Sequence, residues 1–258
     1  MEIKNFAWNE NLSKRSNHPL LPQGIRGFII GKSGCGKTTL LINILLRPGW
    51  LDYNNIKNFG KNLFQPEYHI LNKAFEEKLP KEAIFRLFEN QNEITYLGIS
   101  PISVVEEMAK EIRDKSDVVC NIYQLAADVP DSGDLSSEKK NLIVFGDLLL
   151  EKQNTCESYY VRGRHSNVDC FYLAQNYFKL PRQTIRENAN FICLFPHDLK
   201  NLNHIFGDHV GSDMTKEEFR KLCKAAWEKQ YEFVIIDLSS KKHNGKYRSG
   251  LDEFSIPS

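Results

Sequence analysis

The chain has 258 residues, 41% of them hydrophobic, and its formal net charge is +1. This length suits one large α/β domain, with or without appendages, and the apolar content is ordinary for a soluble globular protein. The near-neutral charge argues against a protein that binds nucleic acid through its overall charge, so a DNA partner would require a local basic patch.

Other features of the composition bear on location. No run of about 18 apolar residues occurs, which argues against a transmembrane helix. The first residues lack the charged-then-apolar layout of a signal peptide. The six cysteines include no C-x-x-C pair, which favours buried thiols in a reducing compartment over disulfides or a zinc site. We therefore expect an intracellular protein that is neither secreted nor associated with a membrane.

The chain divides into three predicted parts. Residues 1–24 are mixed and polar and predict an N-terminal arm, either docked on the protein or a neighbouring subunit, or frayed. Residues 25–240 contain the motifs described below and predict one domain. Residues 241–258 begin with a basic stretch, Lys241–Arg248, and predict a C-terminal tail that either contacts nucleic acid or is simply solvated.

The dominant motif is Gly31–Thr38, which reads G-K-S-G-C-G-K-T and fits the P-loop pattern G-x-x-x-x-G-K-[ST]. The apolar run Gly27–Ile30 before it predicts a buried strand, and Thr39–Leu46 after it predicts a packed helix. Glycines let such a loop curl, so that its N–H groups form an anion nest at the N-terminus of the helix. The alternative is a glycine turn that only joins a strand to a helix.

The P-loop pattern assigns ATP and Mg²⁺ as cofactors. Lys37 is expected to reach the β- and γ-phosphates, and the Thr38 hydroxyl to bind the magnesium ion. The predicted nucleotide-binding residues are Gly31, Lys32, Ser33, Gly34, Cys35, Gly36, Lys37, Thr38 and Thr39.

Amphipathic and apolar segments follow the P-loop helix in alternation, which is typical of a βα layout. The predicted strands are Ile56–Phe64, Leu142–Phe145, Cys170–Ala174, Phe191–Phe195 and Phe233–Asp237. The predicted helices are Glu67–Phe75, Lys81–Asn90, Ser103–Lys115, a short helix after Pro181, and Thr215–Lys229. Capping boxes are predicted at Ser103–Glu106 and Thr215–Glu218.

The apolar strand Leu142–Phe145 ends in Gly146-Asp147. In P-loop NTPases an aspartate at such a strand end helps to hold magnesium, and in one branch the next acid polarises the attacking water. Only one acid stands here, so Asp147 is predicted to be catalytic, magnesium-binding or both. If Gly146 occupies the position of the magnesium-binding aspartate, Asp147 occupies that of the catalytic base. If Asp147 is instead the magnesium ligand, Leu148 occupies the position of the base, and its side chain cannot accept a proton. Glu151 lies a turn further on and is a poor substitute.

Three further residues are candidates for the catalytic site. Gln175 ends a strand expected beside the Asp147 strand, where it could sense the γ-phosphate and the attacking water; the alternative is a structural amide. Arg162 and Arg164 precede that strand and could each serve as an arginine finger in a neighbouring subunit. The alternative for both is a solvated basic turn.

Taken in order, these motifs resemble the viral genome-packaging ATPases of the FtsK–HerA superfamily, found in poxviruses, other large DNA viruses and Polinton (Maverick) transposons. The resemblance spans roughly residues 25–240, and the Polinton type is the most similar. It is carried by Gly31–Thr38, Leu142–Leu149 and above all the block Arg162–Asn188, with its R-H, Q, L-P and I-R-x-N order.

The resemblance implies an α/β P-loop NTPase with a RecA-like ASCE core, in which helices flank a mainly parallel central sheet. It further implies a homo-oligomeric ring of about five or six subunits that hydrolyses ATP to drive double-stranded DNA into a capsid, with capsid proteins as candidate partners. Lys37 and Thr38 would bind phosphate and magnesium, Gln175 would be the sensor, and Arg164 or Arg162 the finger. The expected location is the host cytoplasm or nucleus, with the virion as a further expectation.

The chain departs from the family at one position. The family usually has two acids at the end of the Walker B strand, whereas this chain has Gly146-Asp147, which should weaken magnesium binding and turnover. Two alternatives therefore stay open: a helicase or DNA translocase without a capsid, and a nucleotide-binding assembly module with weak hydrolysis.

Overall fold

The computed structural model describes residues 15–61, 65–146 and 148–254, without the side chains of Arg164 and Phe254. Residues 1–14 of the predicted arm, residues 255–258 of the predicted tail and Asp147 therefore lie outside the described residues.

The described chain forms a single sheet with helices on both faces. Its strands lie in the spatial order β3-β2-β4-β5-β1-β6-β7-β8-β9. Strands β3 to β6 in this order pair in parallel, and β7, β8 and β9 add an antiparallel edge. The expected α/β fold with a mainly parallel sheet is thus confirmed. The strands are β1 (Arg26–Ile30), β2 (Asn55–Gly60), β3 (Val119–Tyr123), β4 (Asn141–Gly146), β5 (Val168–Ala174), β6 (Phe191–Leu194), β7 (Val234–Asp237), β8 (Tyr247–Ser249) and β9 (Glu253–Phe254).

The central strands are buried on both faces, as parallel strands covered by helices must be. All seven residues of β5 are buried. Alternate side chains of β1 enter two separate hydrophobic clusters, Ile29 on one face and Phe28 and Ile30 on the other. The continuous apolar runs in the sequence arise from this two-sided burial.

Helices α1, α2, α3 and α5 contribute to the first cluster, and α6, α7 and α8 to the second. The chain is therefore a three-layer α/β structure. The helices are α1 (Lys37–Leu46), α2 (Pro66–Glu76), α3 (Lys81–Glu89), α4 (Gln91–Tyr96), α5 (Pro101–Glu111), α6 (Asn154–Arg162), α7 (Leu199–Ile205) and α8 (Lys216–Ala226). None of these helices is both long and apolar enough to cross a lipid bilayer.

One of the two predicted capping boxes forms. At the start of α8 the Thr215 hydroxyl accepts from the Glu218 N–H at 3.3 Å, and the Glu218 carboxylate accepts from the Thr215 N–H at 2.6 Å. The box predicted at Ser103 is wrong, because α5 begins two residues earlier at Pro101. Proline is favoured in the first turn of a helix, where its missing N–H has no cost.

Two short strands lie in the segment that the sequence assigns to a basic tail. β8 pairs with β7 in register Ile236 to Tyr247, so the sheet continues beyond residue 240. Arg248 is buried, and its Nη1 donates to the Leu20 carbonyl at 2.8 Å. This arginine therefore cannot contact nucleic acid, because it links the sheet to the N-terminal segment. Apart from this continuation of the sheet beyond residue 240, the division of the chain into an arm, a domain and a tail remains a prediction.

Candidate nucleotide-binding site

The topology brings the sequence motifs to one edge of the sheet. β5 lies between β1, which precedes the P-loop, and β4, which carries the Walker B motif. This is the arrangement expected of an ASCE core. Because the three strands are parallel, their carboxyl ends meet at the same edge. A cavity of about 920 Å³, called here the P-loop cavity, lies there and is lined by Lys37, Gly146 and Gln175 among others.

The P-loop glycines are required for two different reasons. A Cβ at Gly31 would lie 2.4 Å from the Cys35 sulphur and 2.7 Å from the Phe195 Cβ, so the loop packs too closely for a side chain there. Gly36 adopts φ 101°, a left-handed conformation that glycine adopts without strain. The loop therefore turns directly into the first residue of α1, where anions are favoured by the N–H groups of a helix N-terminus.

Lys37 lies along the inside of the loop. Its Nζ donates to the carbonyl of Gly31 at 2.7 Å and to that of Lys32 at 2.8 Å. The ammonium group is thus held within the anion nest. Burial raises the pKa of the neighbouring Cys35 thiol, although Lys37 opposes the rise, so this cysteine stays protonated at neutral pH.

The Thr38 hydroxyl faces the N-terminus of α2. It donates to Gln65 Oε1 at 3.4 Å, and Glu67 lines the same cavity. Burial raises the pKa of Tyr68 to about 12, although a hydrogen bond with Thr38 lowers it. These residues at the start of α2 were not predicted from the sequence to be part of the site. Their position could have been inferred, because α2 follows β2, and β2 lies next to β4 in the sheet.

The donor set around Thr38 fits magnesium. The Thr38 hydroxyl, the Gln65 amide oxygen and the Glu67 carboxylate are hard oxygen ligands of the kind that Mg²⁺ prefers. Within the described part of the chain, no three His, Cys, Asp or Glu residues converge on a metal site. Phosphate oxygens and water would supply most of the coordination, as is usual for Mg²⁺ bound with a nucleotide.

Gly146 ends β4 at the cavity wall and presents no side chain there. A Cβ at this position would meet nothing within 4 Å. Asp147, the predicted metal ligand or base, lies outside the described residues. Leu148 is completely buried in the core, and Glu151 pairs with Lys61 at 3.8 Å. Neither therefore replaces the missing acid, and the choice between the two roles of Asp147 stays open.

Gln175 follows β5 and lines the P-loop cavity, where the sequence analysis expected a sensor. Its carbonyl accepts from His197 Nε2 at 2.8 Å, while His197 Nδ1 accepts from the Asp198 N–H at 2.9 Å. His197 Nδ1 also lies 3.0 Å from the Asp198 carboxylate. His197 thus fixes the backbone that presents Gln175, a function that no sequence pattern indicated.

Asp198 in turn caps α7. Its carboxylate accepts from the Asn201 N–H at 2.9 Å, and this backbone hydrogen bond lowers its pKa to about 2, against the opposing effect of desolvation. Beside it, Asn201 Oδ1 accepts from the Phe178 N–H at 3.3 Å. The segment after Gln175 is therefore tied to the start of α7.

The two candidate finger arginines lie at the opposite edge of the sheet from the P-loop. Arg162 is the last residue of α6 and is exposed; the backbone of Arg164 belongs to a 3₁₀ turn that leads into β5. Because β5 runs parallel to β1, its first residue lies at the edge where β1 also begins. Arg162 does not line the cavity of its own chain. A finger from this segment would have to act on a neighbouring subunit.

The far side of the P-loop cavity was not identified from the sequence. It is lined by residues after β6, before β7 and between β8 and β9: Phe195, Tyr231, Phe233, Gly250, Leu251 and Asp252. These residues come from three separate segments of the chain, and no local pattern connects them.

Comparison with solved structures supports the fold. The chain is similar to the genome packaging NTPase B204 from Sulfolobus turreted icosahedral virus 2 in complex with AMP, with a TM-score of 0.51 and 13% identity over 89% of this chain and 98% of that one. The same NTPase in complex with AMPPCP gives a TM-score of 0.48 and 12% identity over 85% and 95%. VirB4 of Thermoanaerobacter pseudethanolicus gives 0.46 and 10% over 91% and 96%.

No family model matches the chain, and no curated protein matches it in sequence. At 13% identity the likeness to B204 establishes the fold alone. The chain therefore has the fold of a viral genome packaging NTPase, a P-loop ATPase core, which is the fold that the resemblance in its sequence implied.

Proposed function

We propose that the chain is the subunit of an ATP-driven motor that moves double-stranded viral or transposon DNA into a capsid. The observation that carries this proposal is the meeting of Lys37, Gly146 and Gln175 in one cavity at the carboxyl edge of β1, β4 and β5. The likeness to B204, a genome packaging NTPase solved with AMP, supports the same conclusion.

ATP would lie with its phosphates in the P-loop, where Lys37 and the N–H groups of the loop neutralise their charge. Magnesium, when bound, would offset the negative charge that develops on the transferred phosphoryl group. Thr38 would bind this ion, and Gln65 and Glu67 would hold water molecules of its hydration shell.

Hydrolysis would proceed by in-line attack of water on the γ-phosphate. Gln175 would orient this water, and Asp147 would either accept its proton or help to hold the metal. Arg164 or Arg162 of a neighbouring subunit would stabilise the charge of the transition state. Since neither arginine segment lies at the P-loop edge of its own chain, this mechanism requires an oligomer, and a ring of about five or six identical subunits meets that need.

The motor must ignore DNA sequence, so contacts to the phosphate backbone would dominate binding. Two lysines of the basic segment before β8 have partners within the protein, which makes this segment less suited to DNA binding than the sequence suggested. Lys246 pairs with Asp213, and Lys242 Nζ donates to the Asp213 carbonyl at 2.7 Å. With a net charge of +1, a monomer should bind DNA weakly and lose affinity as salt rises.

The test is ATP hydrolysis by the purified protein with and without duplex DNA. We expect turnover that duplex DNA stimulates and that Lys37→Ala abolishes together with nucleotide binding. Nucleotide binding that survives Lys37→Ala would overturn the P-loop assignment. Capsid proteins, and the host cytoplasm, nucleus or virion as the location, are proposed with the motor function and would be tested by co-purification with the capsid.

A second function is favoured by Gly146. With one acid, Asp147, at the end of β4 where the family usually has two, the protein could bind nucleotide as an assembly module and hydrolyse it slowly. Comparing the unmodified protein with Gly146→Asp separates the two functions. Rapid turnover by the unmodified protein would exclude the assembly module. A helicase would instead be revealed by single-stranded products from duplex DNA.

A further inference from the structure

The P-loop cavity has two ends, because β1 lies in the middle of the sheet. On one side of β1 lie β5 and β4, which present Gln175 and Gly146. On the other side lie β6, β7 and β8, which present Phe195, Tyr231 and the turn Gly250–Asp252. A nucleotide whose terminal phosphate points toward Gln175 must direct its base toward the second end.

Tyr231 has an unusual conformation at this second end. Its φ is 67°, in the left-handed region that residues with a Cβ rarely adopt, and the residue is 60% exposed. Bulky residues in this region occur mainly where the surroundings impose them, and often at ligand sites. The ring lies against the P-loop, since a Cβ at Gly36 would be 3.5 Å from Tyr231 Cδ1.

The segment around Tyr231 is anchored on both sides. Before it, Trp227 Nε1 donates to the Leu194 carbonyl at 3.0 Å. After it, the Phe233 ring packs on Phe195 with centroids 5.2 Å apart. The segment that carries this exposed residue is thus anchored on both sides beside the phosphate loop.

The turn between β8 and β9 lines the same end of the cavity. The Gly250 N–H donates to the Phe233 carbonyl at 2.9 Å, so the turn is fixed to the same segment. Leu251 offers an apolar surface and Asp252 a carboxylate, and both line the cavity. An aromatic face, an apolar wall and a hydrogen-bond acceptor together match a purine that carries an exocyclic amino group.

We propose that Tyr231 and the turn Gly250–Asp252 bind the nucleobase of the nucleotide whose phosphates lie in the P-loop. The base stacks on the Tyr231 ring beside Leu251, and the Asp252 carboxylate accepts from its amino group. This inference rests on the proposed nucleotide function and adds to it the residues that distinguish a nucleotide from a bare polyphosphate.

Two ligands separate the base from the phosphates: ATP and inorganic tripolyphosphate, each titrated with magnesium by calorimetry. Tyr231→Asn removes the ring and keeps a residue that tolerates the left-handed backbone. Stacking of a base on an aromatic side chain is strong enough that the variant should bind ATP roughly 10- to 100-fold more weakly. Its affinity for tripolyphosphate should not change. Tyr231→Phe, the matched control, should bind both ligands as the unmodified protein does.

Leu251→Ala provides a second test that leaves the left-handed position untouched. It should also lower the affinity for ATP and leave the affinity for tripolyphosphate unchanged. Unchanged ATP affinity in both Tyr231→Asn and Leu251→Ala would overturn the inference, as would an equal loss for the two ligands. Failure of the unmodified protein to bind either ligand is a different result, which would overturn the proposed function itself.

Discussion

Gly60 and Gly146 lie side by side at the ends of β2 and β4, and only one of them is required by packing. A Cβ at Gly60 would lie 2.6 Å from the Gly146 carbonyl oxygen, whereas a Cβ at Gly146 would meet nothing within 4 Å. The backbone therefore permits an acid at residue 146, on the wall of the P-loop cavity.

This asymmetry predicts the effect of restoring the acid. Gly146→Asp should fold normally and raise ATP turnover by roughly tenfold, equivalent to about 1.4 kcal/mol of additional transition-state stabilisation by a better-held metal. Steady-state ATPase rates at several magnesium concentrations would measure it. Unchanged turnover and magnesium dependence would show that Gly146 does not limit the enzyme.

Gly60→Ala is the matched control at the neighbouring position. The added methyl group would press on a backbone carbonyl, so we expect a loss of about 1–3 kcal/mol in the free energy of unfolding. Urea denaturation of the two variants would compare them. A Gly60→Ala protein as stable as the unmodified one would contradict the close approach of β2 and β4.

The position of Arg162 and Arg164 predicts complementation between subunits. Arg162→Ala and Arg164→Ala should each be tested alone. The variant that lacks the arginine finger should lose most of its ATPase activity. Lys37→Ala should be inactive because it binds no nucleotide, yet it retains the arginines. Mixing Lys37→Ala with the inactive arginine variant should restore part of the activity, because one subunit supplies the P-loop and the other the finger. Mixtures as inactive as their components would contradict a finger that acts in trans.

His209 predicts a pH dependence of stability. The pKa of its imidazole is lowered to about 4, chiefly by desolvation; Asp208 opposes this change, and Arg186 and Lys246 add to it. Its Nε2 lies 2.7 Å from the Tyr177 hydroxyl. Since the folded protein binds this proton less readily than the unfolded chain, His209 favours folding above pH ~6.5.

As the pH falls from about 6.5 to about 4, the free energy of unfolding should therefore decrease, by roughly 3 kcal/mol at most. Urea denaturation of the unmodified protein and His209→Gln across this range would measure it. The variant should show a shallower decline, and parallel curves would contradict the contribution of His209.

The N-terminal segment should contribute to stability through Asn17. This residue is buried, and its Nδ2 donates to the Pro22 carbonyl and to the Asp169 carboxylate, both at 2.9 Å, while Lys140 donates to its Oδ1. Asn17→Ala would remove one hydrogen bond from each of the buried residues Lys140 and Asp169, which keep their mutual ion pair at 3.9 Å, at a cost of about 1–3 kcal/mol.

Gln23→Ala removes one hydrogen bond from an exposed residue of the same segment and should change stability by less than about 0.5 kcal/mol. Thermal unfolding of the two variants provides the comparison. Equal stability of Asn17→Ala and Gln23→Ala would show that the segment docks without supporting the fold.

Much of the fold was predictable because the central strands are apolar on both faces. The strands around Phe28, Val144 and Tyr172 produce continuous apolar runs that no surface element would show. β3 was missed for the opposite reason: it lies at the edge of the sheet, where Val119 is 50% exposed. Its residues alternate in exposure and form no apolar run.

The candidate site was predictable on one side only. Lys37, Gly146 and Gln175 follow strands with recognisable patterns, so their meeting could be inferred from the order of motifs. Tyr231 and His197 could not be inferred, because each depends on contacts between distant segments. No local sequence pattern indicates the left-handed conformation of Tyr231 or the hydrogen bond between His197 and the Gln175 carbonyl.

The proposed motor uses ATP hydrolysis at this site to move along intact duplex DNA. The most direct measurement is displacement of a triplex-forming strand from a long duplex, followed with ATP, without ATP and with Lys37→Ala. A packaging motor should displace this strand only with ATP and the unmodified protein or Gly146→Asp, and should leave the duplex intact. No displacement even by Gly146→Asp, or separation of the duplex into single strands, would contradict this proposal.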